Sequence, residues 1–421
     1  MEPENRIKTK KLPTEPYKGV RDFYPEQYAS LKYIFDTWRS VVEKIGYVEY
    51  EASILEPSEL YRTKGSENEE MVNEQTYTFV DRGEREVTLR PEMTPTVARM
   101  VAGKRRELGF PLRYYSIPNC FRYERMQRGR LREFWQLNVD LFGSRSTAAD
   151  AEILAVSYGI MMAFGATESD FVIKVGSRSA INGLVAELGL SEETTKKLFA
   201  LLDRKAKMPG EEFSHALSDL SVPESRLFDH EPPEEISKML EQFKDAGINN
   251  IVYDPSVVRG FAYYSGMVFE VFDTHPENNR ALFGGGRYDN LTQLFDDEPL
   301  PGVGFGMGDE TIRLFMEVRG LIPPYKSPTH VYLATPAPEM AYELQTFAGE
   351  LRRAGVNVAV DFGEKKLGDQ IKTAAKHKIA WLMVVGPDEL ERGQFTARNL
   401  ETGHEETLAR EQLPDFFLNQ Q

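Results

Sequence analysis

The sequence predicts an α+β chain in two parts: an N-terminal domain over residues 1–325 that mixes helices with short strands and carries a helical insertion, and a smaller α/β domain over residues 329–421. Three observations predict this. A length of 421 residues corresponds to roughly two to four domains at ~100 to 200 residues each. Short β-rich runs fill residues 47–142, whereas residues 176–247 are helical in pattern and highly charged. The segment IPPYKSP at 322–328 has the proline content of a linker, and the alternation of element types changes after it.

In chain order, residues 27–45 place Leu31, Ile34, Trp38, Val41 and Ile45 at helical spacing, and Gly46 follows as a stop. Strand-like runs follow at 47–51, 77–80, 86–90, 112–123 and 134–142, broken by polar turns. A helix is expected at 149–164. The insertion is broken by Pro209, Pro223, Pro232 and Pro233. Strand text resumes at 268–272, and glycine-rich stretches at 283–289 and 302–308 precede a helix at 310–318. In the second domain, strands at 331–335, 356–361 and 381–385 alternate with helices at 338–354 and 367–378, a βαβαβ rhythm that predicts a largely parallel sheet.

Composition excludes several classes. A hydrophobic fraction of 41% with 28% charged residues suits ordinary cores and not a disordered or collagenous chain. Cys120 is the single cysteine, which rules out disulfide frameworks and thiolate zinc sites and fits a reducing compartment. No apolar run is long enough to cross a bilayer, and MEPENRIKTKKLPTEP lacks the apolar centre of a signal peptide, so a cytoplasmic location with no membrane partner is the expectation. At a formal charge of −15, any bound polyanion must be met by a local concentration of Arg and Lys.

That concentration lies in FRYERMQRGRLREFWQLNVDLFG, residues 121–143, which reads as strand, basic loop, strand. Alternation puts Arg122 and Glu124 on one face, and Phe134, Gln136, Asn138 and Asp140 on one face of the returning strand with Trp135, Leu137, Val139 and Leu141 opposite. The loop carries Arg125, Arg128, Arg130 and Arg132 against Glu133 alone. A solvated hairpin with a basic tip is the bland alternative. A polar face continuous with the arginines favours guanidinium forks matched to phosphate oxygens. In TLRPEMTPTVARM, Glu92 and Thr94 stand just before a helix, a pattern that suits either an ammonium group or, more commonly, a plain helix N-cap. In VVRGFAYYSGMVFEVFD, Arg259 and Gly260 precede the Tyr263–Tyr264 pair. The glycines of FGGGRYD and GVGFGMG lack the spacing of a dinucleotide fingerprint or a P-loop. They are expected in tight turns or in close backbone approach to a flat ligand. There is no HExxH or GxSxG, the six histidines form no metal-like pairs, and Cys120 is expected to be a packed thiol.

Over nearly its whole length the chain resembles class II aminoacyl-tRNA synthetases and, within them, the histidyl-tRNA synthetase family. GYVEYEASILEPSELY resembles the first class II motif, which builds the dimer interface in that family. FRYER with RLREF resembles the second, and PGVGFGMGDETIRL the third. TLRPEMTPT, RGFAYYSGMVFEV and FGGGRYDNL resemble the histidine-specific elements. The resemblance implies a catalytic domain on an antiparallel sheet with flanking helices, a helical insertion and a C-terminal anticodon-binding domain.

Residue by residue, it implies that Arg122 meets the α-phosphate of ATP, Glu124 the adenine edge, and that Phe134 stacks on the ring. Glu92, Thr94 and Gln136 would hold the α-amino group of histidine, with Met93 and Tyr263 in the same histidine-binding set. Asp140 and Tyr264 would take the two imidazole nitrogens, and Arg259 would bridge the amino-acid carboxylate and the α-phosphate. Two departures stand out. The third motif usually ends in Glu-Arg, and here the pair is Glu310 and Thr311, so either an arginine of the loop, Arg130 first, or Arg313 supplies the charge over the γ-phosphate, or ATP is held differently. Where the family more commonly has Asp, this chain has Ala262.

The implied function is histidine–tRNA ligation by a homodimer, with L-histidine, ATP and histidine tRNA as partners, Mg2+ accompanying the ATP phosphates, and no metal held by the protein alone. The competing reading is a non-catalytic, synthetase-like regulatory subunit of ATP phosphoribosyltransferase.

Overall fold

The centre of the fold is a nine-stranded sheet in the order β1-β5-β7-β12-β11-β10-β8-β9, with β6 pairing with β7 beside it. The structure is a computed structural model and describes residues 11–62, 75–205, 208–228, 231–259, 263–278, 280–296, 298–362 and 365–420. The strands are β1 (Val48–Glu49), β5 (Leu112–Ser116), β6 (Asn119–Phe121), β7 (Glu133–Phe142), β8 (Phe171–Ser177), β9 (Ile251–Tyr253), β10 (Met267–Asp273), β11 (Ala281–Arg287) and β12 (Gly302–Gly308). All inner pairings are antiparallel, and only the edge pairs β1/β5 and β8/β9 are parallel. A separate three-stranded sheet joins β2 (Leu55–Pro57), β4 (Glu86–Leu89) and β3 (Tyr77–Val80).

Alternation along β7 organises the layers. Leu137, Val139 and Leu141 enter the main core, where they meet Trp38 of α1 (Pro25–Val42), Ile153 of α3 (Thr147–Ala163) and Phe315 of α9 (Asp309–Arg319). The opposite face, with Gln136, Asn138 and Asp140, is left for polar work, as the strand period requires. That face is bordered by α2 (Thr94–Gly103), whose Val97 and Val101 pack with Tyr264 and Tyr288.

Several expectations are corrected. Arg122 to Glu124 are not strand: β6 ends at Phe121, although the Arg122 N–H still donates to the Arg132 carbonyl at 2.9 Å. The glycine stretches are the adjacent strands β11 and β12 and not turns, and none of their glycines has a positive φ. Thr94 is not a helix cap; Met93 holds that position and makes no side-chain capping bond. Strand β8, which is inward-facing through Phe171, Ile173 and Val175, precedes the insertion and is an addition to the strands expected from sequence.

The insertion runs from α4 (Arg178–Glu187) through α5 (Glu192–Arg204), α6 (Gly210–Asp219), α7 (Glu224–Phe228) and α8 (Glu234–Asp245). Its own core joins α4 to α7 through Ile181, Leu198, Phe199, Phe213, Leu217 and Leu227. Helix α8 belongs elsewhere, since Ile236, Met239 and Phe243 pack into the main core.

By its contacts the chain divides into two units, Met1–Pro323 and Pro324–Gln421. The second is a five-stranded sheet in the order β14-β13-β15-β16-β17. Strand β13 (Val331–Ala334) is parallel to β14 (Val358–Val360) and β15 (Trp381–Val384). The hairpin β16 (Gln394–Asn399) and β17 (Glu405–Ala409) continues the sheet antiparallel. The parallel part follows the βαβαβ rhythm, through α10 (Ala341–Arg353) and α11 (Leu367–Lys376). The antiparallel edge is an addition to that expectation.

Candidate active site

On the polar face of the central sheet lies a cavity of about 220 Å3 lined by Glu92, Thr94, Arg122, Glu124, Arg130, Phe134, Gln136, Arg259, Tyr263 and Tyr264. Ten of the twelve residues singled out from sequence therefore share one cavity. The other two are Met93 and Asp140. Met93 is fully buried, with its sulfur 3.9 Å from Arg90 Nη1, and is a packing residue. Asp140 lies one layer behind the wall: its Oδ1 accepts from the hydroxyl of Tyr288, which does line the cavity.

The floor explains the glycines. Gly284 of β11 and Gly304, Gly306 and Gly308 of β12 line the cavity. A Cβ on Gly284 would overlap the Arg259 guanidinium, one on Gly306 would overlap Gln136 Nε2, and one on Gly304 would crowd Asp140 Oδ1 and the Tyr288 hydroxyl. The absent side chains make room for functional ones, which is close backbone approach without a turn.

Acidic, phenolic and cationic groups interleave on the walls, with the Arg259 guanidinium 5.9 Å from the centroid of the Tyr264 ring. Glu92 is buried and accepts from the Tyr263 hydroxyl at 3.2 Å. Burial holds the Glu92 carboxyl above its ordinary range, opposed by Arg122, Tyr263 and Arg259. Burial also pushes Asp140 up to about 7, against the lowering effect of the Tyr288 hydrogen bond. Its Oδ2 is buried without a hydrogen-bond partner among the described residues. Tyr263, Tyr264 and Tyr288 are all raised, chiefly by burial, and stay protonated donors. Arg122 donates from Nε to the carbonyl of Pro91, next to Glu92 in the chain, at 2.9 Å and lies 5.3 Å from the centroid of the Phe134 ring. Arg130 pairs with Glu124 at 3.1 Å. Arg259 approaches Glu270 at 3.3 Å and has a left-handed backbone, φ 55°. Gly260 and Ala262 lie outside the described residues.

Sequence reasoning assigned no role to Tyr288 and Glu310, both of which line the cavity. A signal for Tyr288 existed, since it follows β11 with the parity of Gly284 and Gly286. Glu310 is gripped by Arg21 at 2.9 Å and by Arg313 at 2.8 Å, and Arg21 also holds Asp309 at 2.7 Å. The pairs with Arg21 are long-range and have no local signature, whereas Glu310–Arg313 is an i,i+3 pair on one helix. Thr311 lines the cavity and donates to the Leu282 carbonyl at 2.7 Å. Arg313 is committed to Glu310 and Glu317 and is not among the lining residues. A small cavity that brings carboxylates and phenols together with arginines and a flat ring suits a cationic amino acid next to a nucleotide phosphate.

Comparison with known proteins shows the family of the chain. A family model described as histidyl-tRNA synthetase matches residues 19–312, and one described as anticodon binding domain matches residues 330–420. The histidine–tRNA ligase of Leptospira biflexa is 40% identical over an alignment covering 96% of this chain and 97% of that protein. That of Thermoplasma volcanium is 35% identical, with 96% and 98% covered. Among solved structures, a histidyl-tRNA synthetase from Nostoc superposes with a TM-score of 0.81 at 23% identity, covering 98% of this chain and all of that one. The apo enzyme from S. aureus gives 0.74 at 25% identity, with 97% and 99% covered.

Proposed function

The chain belongs to the histidyl-tRNA synthetase family, and on that premise we propose that it ligates L-histidine to its tRNA in two steps within the cavity above. In the first, the α-carboxylate of histidine attacks the α-phosphorus of ATP, the bond to the bridging oxygen breaks, and pyrophosphate leaves. In the second, a ribose hydroxyl of the 3'-terminal adenosine attacks the acyl carbon of histidyl-adenylate, and AMP leaves.

The observation that carries this reading is the one cavity that joins Glu92, Thr94, Gln136 and Tyr264 to Arg122, Arg259 and Phe134; next to its lining residue Gly304 is Asp140, held by Tyr288 on one oxygen and unpartnered on the other among the described residues. With the Tyr264 phenol it suits the two nitrogens of one imidazole tautomer. Glu92, Thr94 and Gln136 take the α-amino group. Arg122 and Arg259 neutralise the charge that gathers at the α-phosphate, and Phe134 offers its flat face to adenine, whose edge meets Glu124. Magnesium would enter with the ATP phosphates. Of the cavity carboxylates Glu310, held by Arg21 and Arg313, would be the one to meet it, while no cluster of three or more candidate ligands exists among the described residues. When bound, the ion neutralises phosphate charge.

The regulatory-subunit reading is disfavoured by the anticodon-domain match at 330–420 and by the presence of Glu92, Arg122, Gln136 and Arg259 in one cavity. Residues 329–421 would select the tRNA. Two copies of the chain would pair through the first-motif region and the three-stranded sheet, where Val48 (61%), Leu55 (46%), Phe79 (47%) and Val80 (65%) leave apolar surface exposed. A cytoplasmic location belongs to this proposal; no helix among the described residues is long and apolar enough to cross a membrane.

Asp140 gives a test. Its folded pKa is raised, so its carboxylate forms as pH rises through about 7. The KM for histidine should fall across that range as the carboxylate gains the imidazole N–H. The same shift makes the unliganded fold bind this proton more tightly than the unfolded chain, so stability declines as pH rises from the ordinary Asp range through the folded pKa. In Asp140→Asn, KM at alkaline pH should rise about 10- to 100-fold, the worth of a hydrogen bond to a charged group. The remaining pH slope should be only that of free histidine. A variant whose KM profile matches the wild type would remove Asp140 from the site.

For the γ-phosphate, the lining residue Arg130 supplies the cation that Thr311 lacks, and Arg313 does not. Arg130→Ala should raise the KM for ATP about 10-fold or more with little change for histidine, and Arg313→Ala should do little. Steady-state exchange kinetics decide this, and the opposite pattern would reverse the assignment.

A further inference from the structure

Arg259 is carried by a segment, Val257 to Arg259, that the helical insertion grips from three sides. Gly176, near the end of β8, lets the Val257 carbonyl approach so closely that a Cβ there would overlap it. Val258 is buried in the insertion's own core, with Leu198, Phe199 and Leu202. Arg178, the first residue of α4 and only 5% exposed, donates from Nη1 to the Val258 carbonyl at 3.3 Å and to the Arg259 carbonyl at 3.0 Å. The backbone N–H of Arg178 is itself tied to the Gly266 carbonyl at 2.9 Å, at the start of β10. Its guanidinium carbon lies 3.6 Å from the centroid of the Phe199 ring on α5.

This arrangement has a clear physical consequence. The backbone at Arg259 is in the left-handed region, φ 55°, which a side chain with a Cβ adopts only when its surroundings over-determine it. Two carbonyls drawn to one buried cation provide that determination. The side chain they aim reaches into the space that Gly284 leaves on the cavity floor. A shift of the segment would move the guanidinium away from the reacting phosphate.

We propose that Arg178 is a positioning residue for adenylate formation, which sets the backbone that presents Arg259 and links the packing of the helical insertion, through Phe199, to the activation step. The inference rests on the reading of Arg259 as the group that meets the α-phosphate. Both bonds leave one nitrogen, Nη1, so lysine at this position keeps the charge and the donors but has no planar guanidinium to lie flat on the Phe199 ring and fix where that nitrogen sits.

The test is a double-mutant cycle in histidine-dependent pyrophosphate exchange by the full-length protein, with thermal melting run in parallel. Arg178→Lys should lower kcat about 10- to 100-fold, as misplacement of a reacting group does. Its KM for histidine and for ATP should stay within about twofold, and its melting temperature close to that of the wild type. Phe199→Leu, which leaves Arg178 in place but removes its flat support, should give a smaller loss of the same kind. In the Arg259→Ala background Arg178→Lys should cost nothing further, because its effect passes through Arg259. Wild-type kcat in Arg178→Lys, or an equal loss in both backgrounds, would overturn the proposal. Should Arg178→Lys fail to fold, the Phe199→Leu pair decides in the same way. Wild-type exchange in Arg259→Ala alone would instead overturn the reading of Arg259.

Discussion

Arg259→Ala is expected to abolish histidyl-adenylate formation while leaving the fold intact. Electrostatic stabilisation of a transition state by one fixed donor is worth about 2.7–4 kcal/mol, or about 100- to 1,000-fold in rate. Arg259 is suited to that role because its guanidinium sits over Gly284 on the cavity floor, 16% exposed, with Glu270 at 3.3 Å to steady it. Removing it leaves the Glu270 carboxylate, which is a quarter exposed and retains access to water, so the cost to folding is small. The measurement is pyrophosphate exchange together with circular dichroism. A folded variant with exchange near the wild-type rate would show that Arg259 serves the structure through its ion pair alone.

Deleting residues 329–421 should remove selection of the histidine tRNA far more than it removes adenylate synthesis. Every residue proposed for activation precedes the proline-rich segment 322–328. The C-terminal unit also has its own core, built on Val331, Phe347, Trp381 and Phe395. A recognised base is worth about 1–3 kcal/mol. Loss of several should therefore cut charging efficiency at least about 100-fold while exchange changes little. A truncated protein that is folded, active in exchange and still charges its tRNA at full efficiency would assign recognition to the first unit.

Much of the site was legible because strand parity is a strong signal. The run from Phe134 to Asp140 separates polar from apolar positions over one long strand, and the structure puts Leu137, Val139 and Leu141 in the core and Gln136 in the cavity. Parity also placed Asp140 on the correct face, yet it does not report depth, and Asp140 lies behind Tyr288. Met93 was drawn into the histidine-binding set by adjacency to Glu92 and Thr94, whereas its side chain turns inward. The expectation of turns at the glycines of β11 and β12 gave weight to glycine as a turn residue over the period of two on β12, where Val303, Phe305 and Met307 alternate with glycine and enter the core; the expectation of close backbone approach at these glycines holds. Their spacing makes sense only beside the partners that need the room, Arg259, Asp140 and Gln136. The β16–β17 hairpin was missed for another reason. It is an edge pair with only Phe395, Ala397 and Leu408 buried, too few to stand out among polar residues. Long-range partners such as Arg21 with Asp309 and Glu310, or Arg178 with the Arg259 carbonyl, are set by tertiary structure and leave no mark in local sequence.

The claim at the centre of this account is that the cavity joining Glu92, Gln136, Arg122 and Arg259 activates histidine with ATP. The most direct test is exchange of labelled pyrophosphate into ATP, run with histidine beside each of the other amino acids. Exchange that depends on histidine and is negligible with the others is the predicted result. Exchange showing no preference for histidine, or none with any amino acid from a folded protein, would contradict it.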